Sequence, residues 1–278
     1  MREYREVDEI KDLSTQEIIN RLESLGIKFE IERFKEQSRG YILAEQLVHD
    51  HYRPNFHMRD EDDIFVLFAI IELWNRLIPE RINIEMIDDS MQEGYGFLEN
   101  EEYEKAMEKW EETWKMIKVL VPRKIRSVSG ADEFIRYLLQ NIFNWCQDFE
   151  MELWNAGGRN NLSYHTKRID YCHDFCEIFP ESDDSIILNM LRAEAESHVA
   201  LGEVGIADSL FQKLVERFPH NTWGYVGWGD VYCDVLGYKN QVDYDKAEKI
   251  YRLGLSKCDE EKEVLRERLD DLKDMRKK

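Results

Sequence analysis

Residues Leu188–Asn221, LNMLRAEAESHVALGEVGIADSLFQKLVERFPHN, hold two helical stripes and one turn. Leu191 and Ala195, and then Ala207, Phe211 and Leu214, recur at three- and four-residue steps, the period of a helix with one apolar face. Leu201-Gly202 falls between the stripes, where a glycine ends a helix in the left-handed conformation. Pro219 stops the second helix, because its ring removes an amide donor and clashes with the preceding turn. Ala195 and Ala207 are small enough to let the two helices approach closely, while Leu191, Phe211 and Leu214 fill the space around them. The stretch predicts an antiparallel helix hairpin.

The pattern recurs outward from this copy. Trp228-Gly229 and Tyr232 fall on a following first helix, and Ala247 and Tyr251 on its second. The spacing from Ala207 to Ala247 exceeds a ~34-residue period by roughly six residues, which places an insertion within Leu236–Tyr244 and lengthens that turn. Upstream, Ile87–Val121 carries Gly94, Phe97, Ala106 and Trp110 in the same order, with a second helix that overruns the usual stop. Phe149–Pro180 keeps the pairing and the terminal Phe179-Pro180 but lacks the small residues, and reads as a degenerate unit. Leu265, Leu269, Leu272 and Met275 line one face of the highly charged Glu263–Lys278, as a terminal capping helix requires.

A repeat with these large, small, turn and terminating positions resembles the tetratricopeptide repeat (TPR). The resemblance implies an all-α fold: a right-handed α-solenoid of antiparallel helix pairs over residues 81–278, closed by the capping helix. Residues 1–80 match no part of the pattern and read as an N-terminal helical region that either extends the stack or forms its own bundle.

Local signals place the other helices. Ser14-Thr15-Gln16-Glu17 is a capping box, followed by Ile18, Ile19, Leu22 and Leu25 until Gly26. Phe34, Tyr41, Leu43, Leu47 and Val48 suggest one helix ending before Pro54. Acidic Asp60–Asp63 begins a helix whose stripe is Ile64, Leu67, Phe68, Ile71, Trp74 and Ile78, ended by Pro79. Ser129–Asp132 starts a helix carrying Phe134, Leu138, Ile142, Trp145, Phe149 and Leu153 inward until Ala156-Gly157-Gly158, a hinge near 156–160. No strand-like alternation is sustained.

The composition narrows the function classes. The formal charge of −20 disfavours nucleic acid and anionic membranes, both of which need clustered Lys and Arg. The basic run Lys115–Arg126 reads as a solvated helix end. The longest apolar run, Ile64–Ile71, is far short of a membrane span, and the first residues lack the apolar stretch of a signal peptide. Five cysteines without regular spacing fit reduced thiols. A cytoplasmic location is expected.

In TPR proteins the first helix of each unit lines the concave face. The matching positions here are Asn189, Arg192, Glu196 and Val199, then Trp223, Val226, Asp230 and Cys233. The resemblance implies a groove for a protein or peptide, anchored by Trp223, with Glu196 and Asp230 favouring a basic or polar ligand. The Lys and Asn residues of carboxylate-clamp TPRs are mostly missing at these positions. Trp223–Asp230 is glycine-rich but lacks the strand a phosphate loop requires, so its glycines are expected to admit a neighbouring helix.

The competing cluster is His49-Asp50-His51 with His57 and Asp60–Asp63, whose donors suit Zn or Fe in a metal-dependent hydrolase. Against it, His49 and His51 are two apart and face different directions on a helix. His165, Cys172 and Cys176 read as core residues on an apolar stripe. A binding scaffold without cofactor or catalytic residues is the expectation.

Overall fold

The computed structural model describes residues 10–52, 60–158, 161–233 and 242–277. Fourteen of the helices among these residues are α1 (Thr15–Ser24), α2 (Ile31–Gln37), α3 (Ala44–His51), α4 (Asp60–Leu77), α5 (Ile84–Glu99), α6 (Tyr103–Leu120), α7 (Val128–Phe134), α8 (Ile142–Gly157), α9 (Leu162–Ile178), α10 (Asp184–Ala200), α11 (Val204–Arg217), α12 (Thr222–Asp230), α13 (Tyr244–Lys257) and α14 (Lys262–Met275). No strand occurs among the described residues. The chain divides into two compact units, Met1–Pro122 with Phe134–Asn141, and Arg123–Glu133 with Ile142–Lys278.

The first unit is built on one apolar cluster in which Ile18, Leu22, Phe34, Leu47, Val66, Ile70 and Trp74 are fully buried. Its α1 starts on the expected capping box, Ser14 and Glu17 exchanging backbone and side-chain bonds. Where one helix was expected between Phe29 and Tyr52, the chain makes α2, a 3₁₀ turn at Ser38–Gly40, and α3. The reason lies in a distant residue: Glu85 at the start of α5 accepts bonds from the Ala44 and Glu45 amides and so caps α3. The α5–α6 hairpin closes over Gly94. A Cβ there would stand 2.0 Å from the Trp110 indole nitrogen, which donates to the Met91 carbonyl.

The second unit packs consecutive helices: α8 on α9, α9 on α10, α10 on α11, and onward to α14. This is compatible with a helical repeat. Ala195 and Ala207 are buried where α10 meets α11, and Gly202 takes a φ of +79° in the turn between them. The helix expected from Ser129 to Ala156 is broken. Asp132 turns back to accept from the Ile142 and Phe143 amides, capping a new helix, α8, and ending α7 at Phe134. At the far end, the turn before α12 is tied to the turn before α14. His220 bonds the Lys257 carbonyl at 2.9 Å, Thr222 donates to the Glu260 carbonyl at 2.8 Å, and Trp223 donates to Glu261 at 2.8 Å. Most of the expected insertion, residues 236–241, lies outside the described residues.

Candidate ligand-binding face

The helices α8, α10, α12 and α14 also touch one another in series, each one skipping its intervening neighbour. Where they meet lies a seam of charge. At its centre is Arg168 of α9, with only 5% of its side chain exposed. It donates to Glu150 of α8 at 2.5 Å, to Glu196 of α10 at 3.2 Å, and to the Ala193 carbonyl and Ser197 hydroxyl at 3.0 and 3.1 Å. Its guanidinium also lies over the Trp154 ring, 4.6 Å from the centroid. Burial lifts the Glu150 carboxyl above its ordinary range even against the opposing pull of Arg168.

The seam continues along α10. Arg192 lies one helical turn before Glu196, its Nε 3.3 Å from Glu196 Oε1. On the next first helix, Asp230 accepts from Tyr251 at 2.6 Å and from Arg268 of α14 at 2.9 Å. Burial again raises that carboxyl, with Tyr251 and Arg268 pulling it partly back.

The residues expected to line a groove therefore fall into two groups. Asn189, Arg192, Glu196 and Trp223 keep partial access to solvent, with Asn189 donating to Gln147 at 3.4 Å. Val199 and Val226 are buried in the core, 1% and 3% exposed, and offer a ligand no surface. Asp230 and Cys233 are likewise buried, each bonded to Tyr251. Trp223 is 38% exposed, with its indole nitrogen already committed to Glu261. Glu196 and Asp230, expected to attract a basic ligand, are instead neutralised by Arg168 and Arg268.

Arg168 and Arg268 were not singled out by sequence reasoning. An arginine on a helix reads as solvated, and their partners lie 18 to 38 residues away, beyond any local pattern. One signal was present: Arg168 falls on the same helix face as Tyr164, Cys172 and Phe175, all buried here.

The α12 glycines admit side chains rather than a helix backbone or a phosphate. A Cβ at Gly229 would stand 2.1 Å from the Tyr251 ring, and one at Gly227 would stand 2.8 Å from Arg192 Cδ. Trp228 and Tyr232 both donate to Asp208 of α11, which also pairs with Lys246 of α13 at 2.5 Å. Burial pushes the Asp208 carboxyl up, but these three donors outweigh it and hold it below its ordinary value.

In the first unit, His49 and His51 belong to a hydrogen-bonded chain. His49 Nδ1 meets Asp50 at 3.0 Å, Tyr41 donates to Asp50 at 3.0 Å, and the two His51 nitrogens meet Tyr41 at 3.1 Å and Gln37 at 3.0 Å. His57 lies outside the described residues. Among the described residues no group of three His, Cys, Asp or Glu is placed to hold a metal. His165 is buried, its Nε2 2.9 Å from the Gly158 carbonyl and its ring against Gly157, and all five cysteines are free. No described helix is long and apolar enough to cross a membrane. No protein-family model matches the chain, and no curated protein matches it either.

Proposed function

We propose that the second unit is a TPR-like right-handed solenoid and that the chain is a scaffold or adaptor which binds a protein or peptide segment along the face formed by α8, α10, α12 and α14. The serial contact of these helices carries the reading, because it makes one continuous surface from separate hairpins. A buried ion pair adds little stability over apolar packing, yet it fixes how neighbouring elements register. The Arg168 and Arg268 pairs thus give the face a rigid floor, and rigidity lowers the ordering cost of binding. Asn189, Arg192 and Trp223 are its accessible polar and aromatic groups, and Trp and Arg dominate interface energetics generally.

Affinity purification followed by mass spectrometry tests this, comparing the full chain with an Asn189→Ala/Trp223→Ala variant and with Leu253→Ala on exposed α13. Partners are expected to be lost with the double variant and retained with Leu253→Ala. Retention by all three would remove the assignment of this face.

A further inference from the structure

We infer that the segment bound on this face presents an acidic side chain to Arg192, an inference that rests on the binding-face reading above. The other charges of the seam are satisfied within the protein: Glu150 and Glu196 by Arg168, and Asp230 by Tyr251 and Arg268. Arg192 differs. It donates no hydrogen bond among the described residues, and its Nε is buried without a bonded acceptor. It is ion-paired with Glu196, whose Oε1 lies 3.3 Å from Nε without forming a hydrogen bond while Arg168 holds Oε2, and its charge also acts on Glu150. The side chain as a whole is nonetheless 30% exposed.

A second observation is independent of the first. The Arg192 stem runs over Gly227, where a Cβ would stand 2.8 Å from Cδ and 3.1 Å from Cγ. A glycine inside a helix costs about 1 kcal/mol relative to alanine. Helix α12 gives up that stability at the point where Arg192 must be seated. A side chain placed in this way, with unused donors, is a recognition element in waiting.

The chemistry selects the ligand. A carboxylate accepts two parallel N–H bonds from a guanidinium, a neutral carbonyl accepts one, and a lysine meets like charge. The −20 formal charge opposes this at a distance, but its field is screened beyond a Debye length of about 8 Å, so pairing acts at contact and not by steering. Asn189, three residues before Arg192 and on the same helix face, offers an amide to the backbone beside the acidic residue.

The test uses the full chain and three pools of N-acetylated, C-amidated nonapeptides, randomised except for a central Glu, Gln or Lys, titrated by fluorescence anisotropy. The Glu pool is expected to bind on the order of tenfold more tightly than the other two, the scale of one charge-assisted bond. Arg192→Gln is expected to abolish that preference, and Arg192→Lys, which keeps a cation beside Glu196, to keep part of it with a thermal midpoint close to that of the wild type. A tighter Lys or Gln pool, or a Glu preference that survives Arg192→Gln, overturns the acidic ligand while leaving the face assigned. No binding to any pool overturns both.

Discussion

Replacing Arg168 by Met removes the one side chain that bonds two largely buried carboxylates. Glu150 and Glu196 are 15% and 14% exposed; Glu150 loses its guanidinium partner, and Glu196 is left with only the ion pair to Arg192. Breaking a buried ion pair from one side costs about 3–5 kcal/mol, because the remaining charge stays desolvated. The thioether fills much of the volume, so the cavity contribution is small. For a domain of this size each kcal/mol moves the thermal midpoint by about 2–4 °C, giving an expected fall of about 6–20 °C at pH 7 by differential scanning calorimetry. The loss must shrink at pH 5. Burial already raises the Glu150 carboxyl, and without the opposing pull of Arg168 it titrates higher still in the folded state, so stability is regained as pH falls through its folded value. A fall of under about 2 °C, or one equally large at pH 5, would show that Arg168 does not hold these carboxylates.

Two further outcomes follow from the same kind of accounting. Gly94 and Gly96 lie in one helix but face different surroundings: Gly94→Ala drives a methyl into the Trp110 ring and should cost about 1–3 kcal/mol. Gly96→Ala meets nothing within 4 Å and should stabilise by about 0.5–1 kcal/mol in the same urea titration; equal signs would contradict the packing of this hairpin. For the wild-type chain, burial raises the carboxyls of Glu85, Asp89, Glu150, Glu194 and Asp230, while Asp208 is held low. A carboxyl with a raised folded pKa contributes stability that is complete below its unfolded pKa of about 4 and is lost as pH rises through the folded value. The urea midpoint should therefore be higher at pH 5 than at pH 7, and a lower one would show that the Asp208 type dominates.

What the sequence made legible was whatever is written locally. The Ser14 capping box, the stops at Pro79 and Pro219, and the small residues Ala195 and Ala207 are each decided within a few positions, and each is found where it was expected. The break at 135–141 was hidden because Phe134, Leu138 and Ile142 continue a perfect helical spacing across it. Contacts made in three dimensions mark the break there: Asp132 accepts from the α8 amides, and Asp88 accepts from the Leu139 amide at 2.8 Å. The same holds for α3, capped by Glu85 from 40 and 41 residues away. On the binding face, spacing placed Arg192 and Glu196 together but could not tell that Glu196 is already occupied. Val199 and Val226 matched groove positions by alignment to the repeat, yet they point into the core between helices.

The three ties between the turns before α12 and α14 join positions 37 and 38 residues apart. They clasp the chain before α12 and after α13, so both helices sit inside one closed loop and neither can peel away alone. Fraying from the C-terminal side reaches α14 first, then has to undo the clasp, after which α12 and α13 are released together. A protease that has trimmed α14 then meets either an intact block of two helices or none of it.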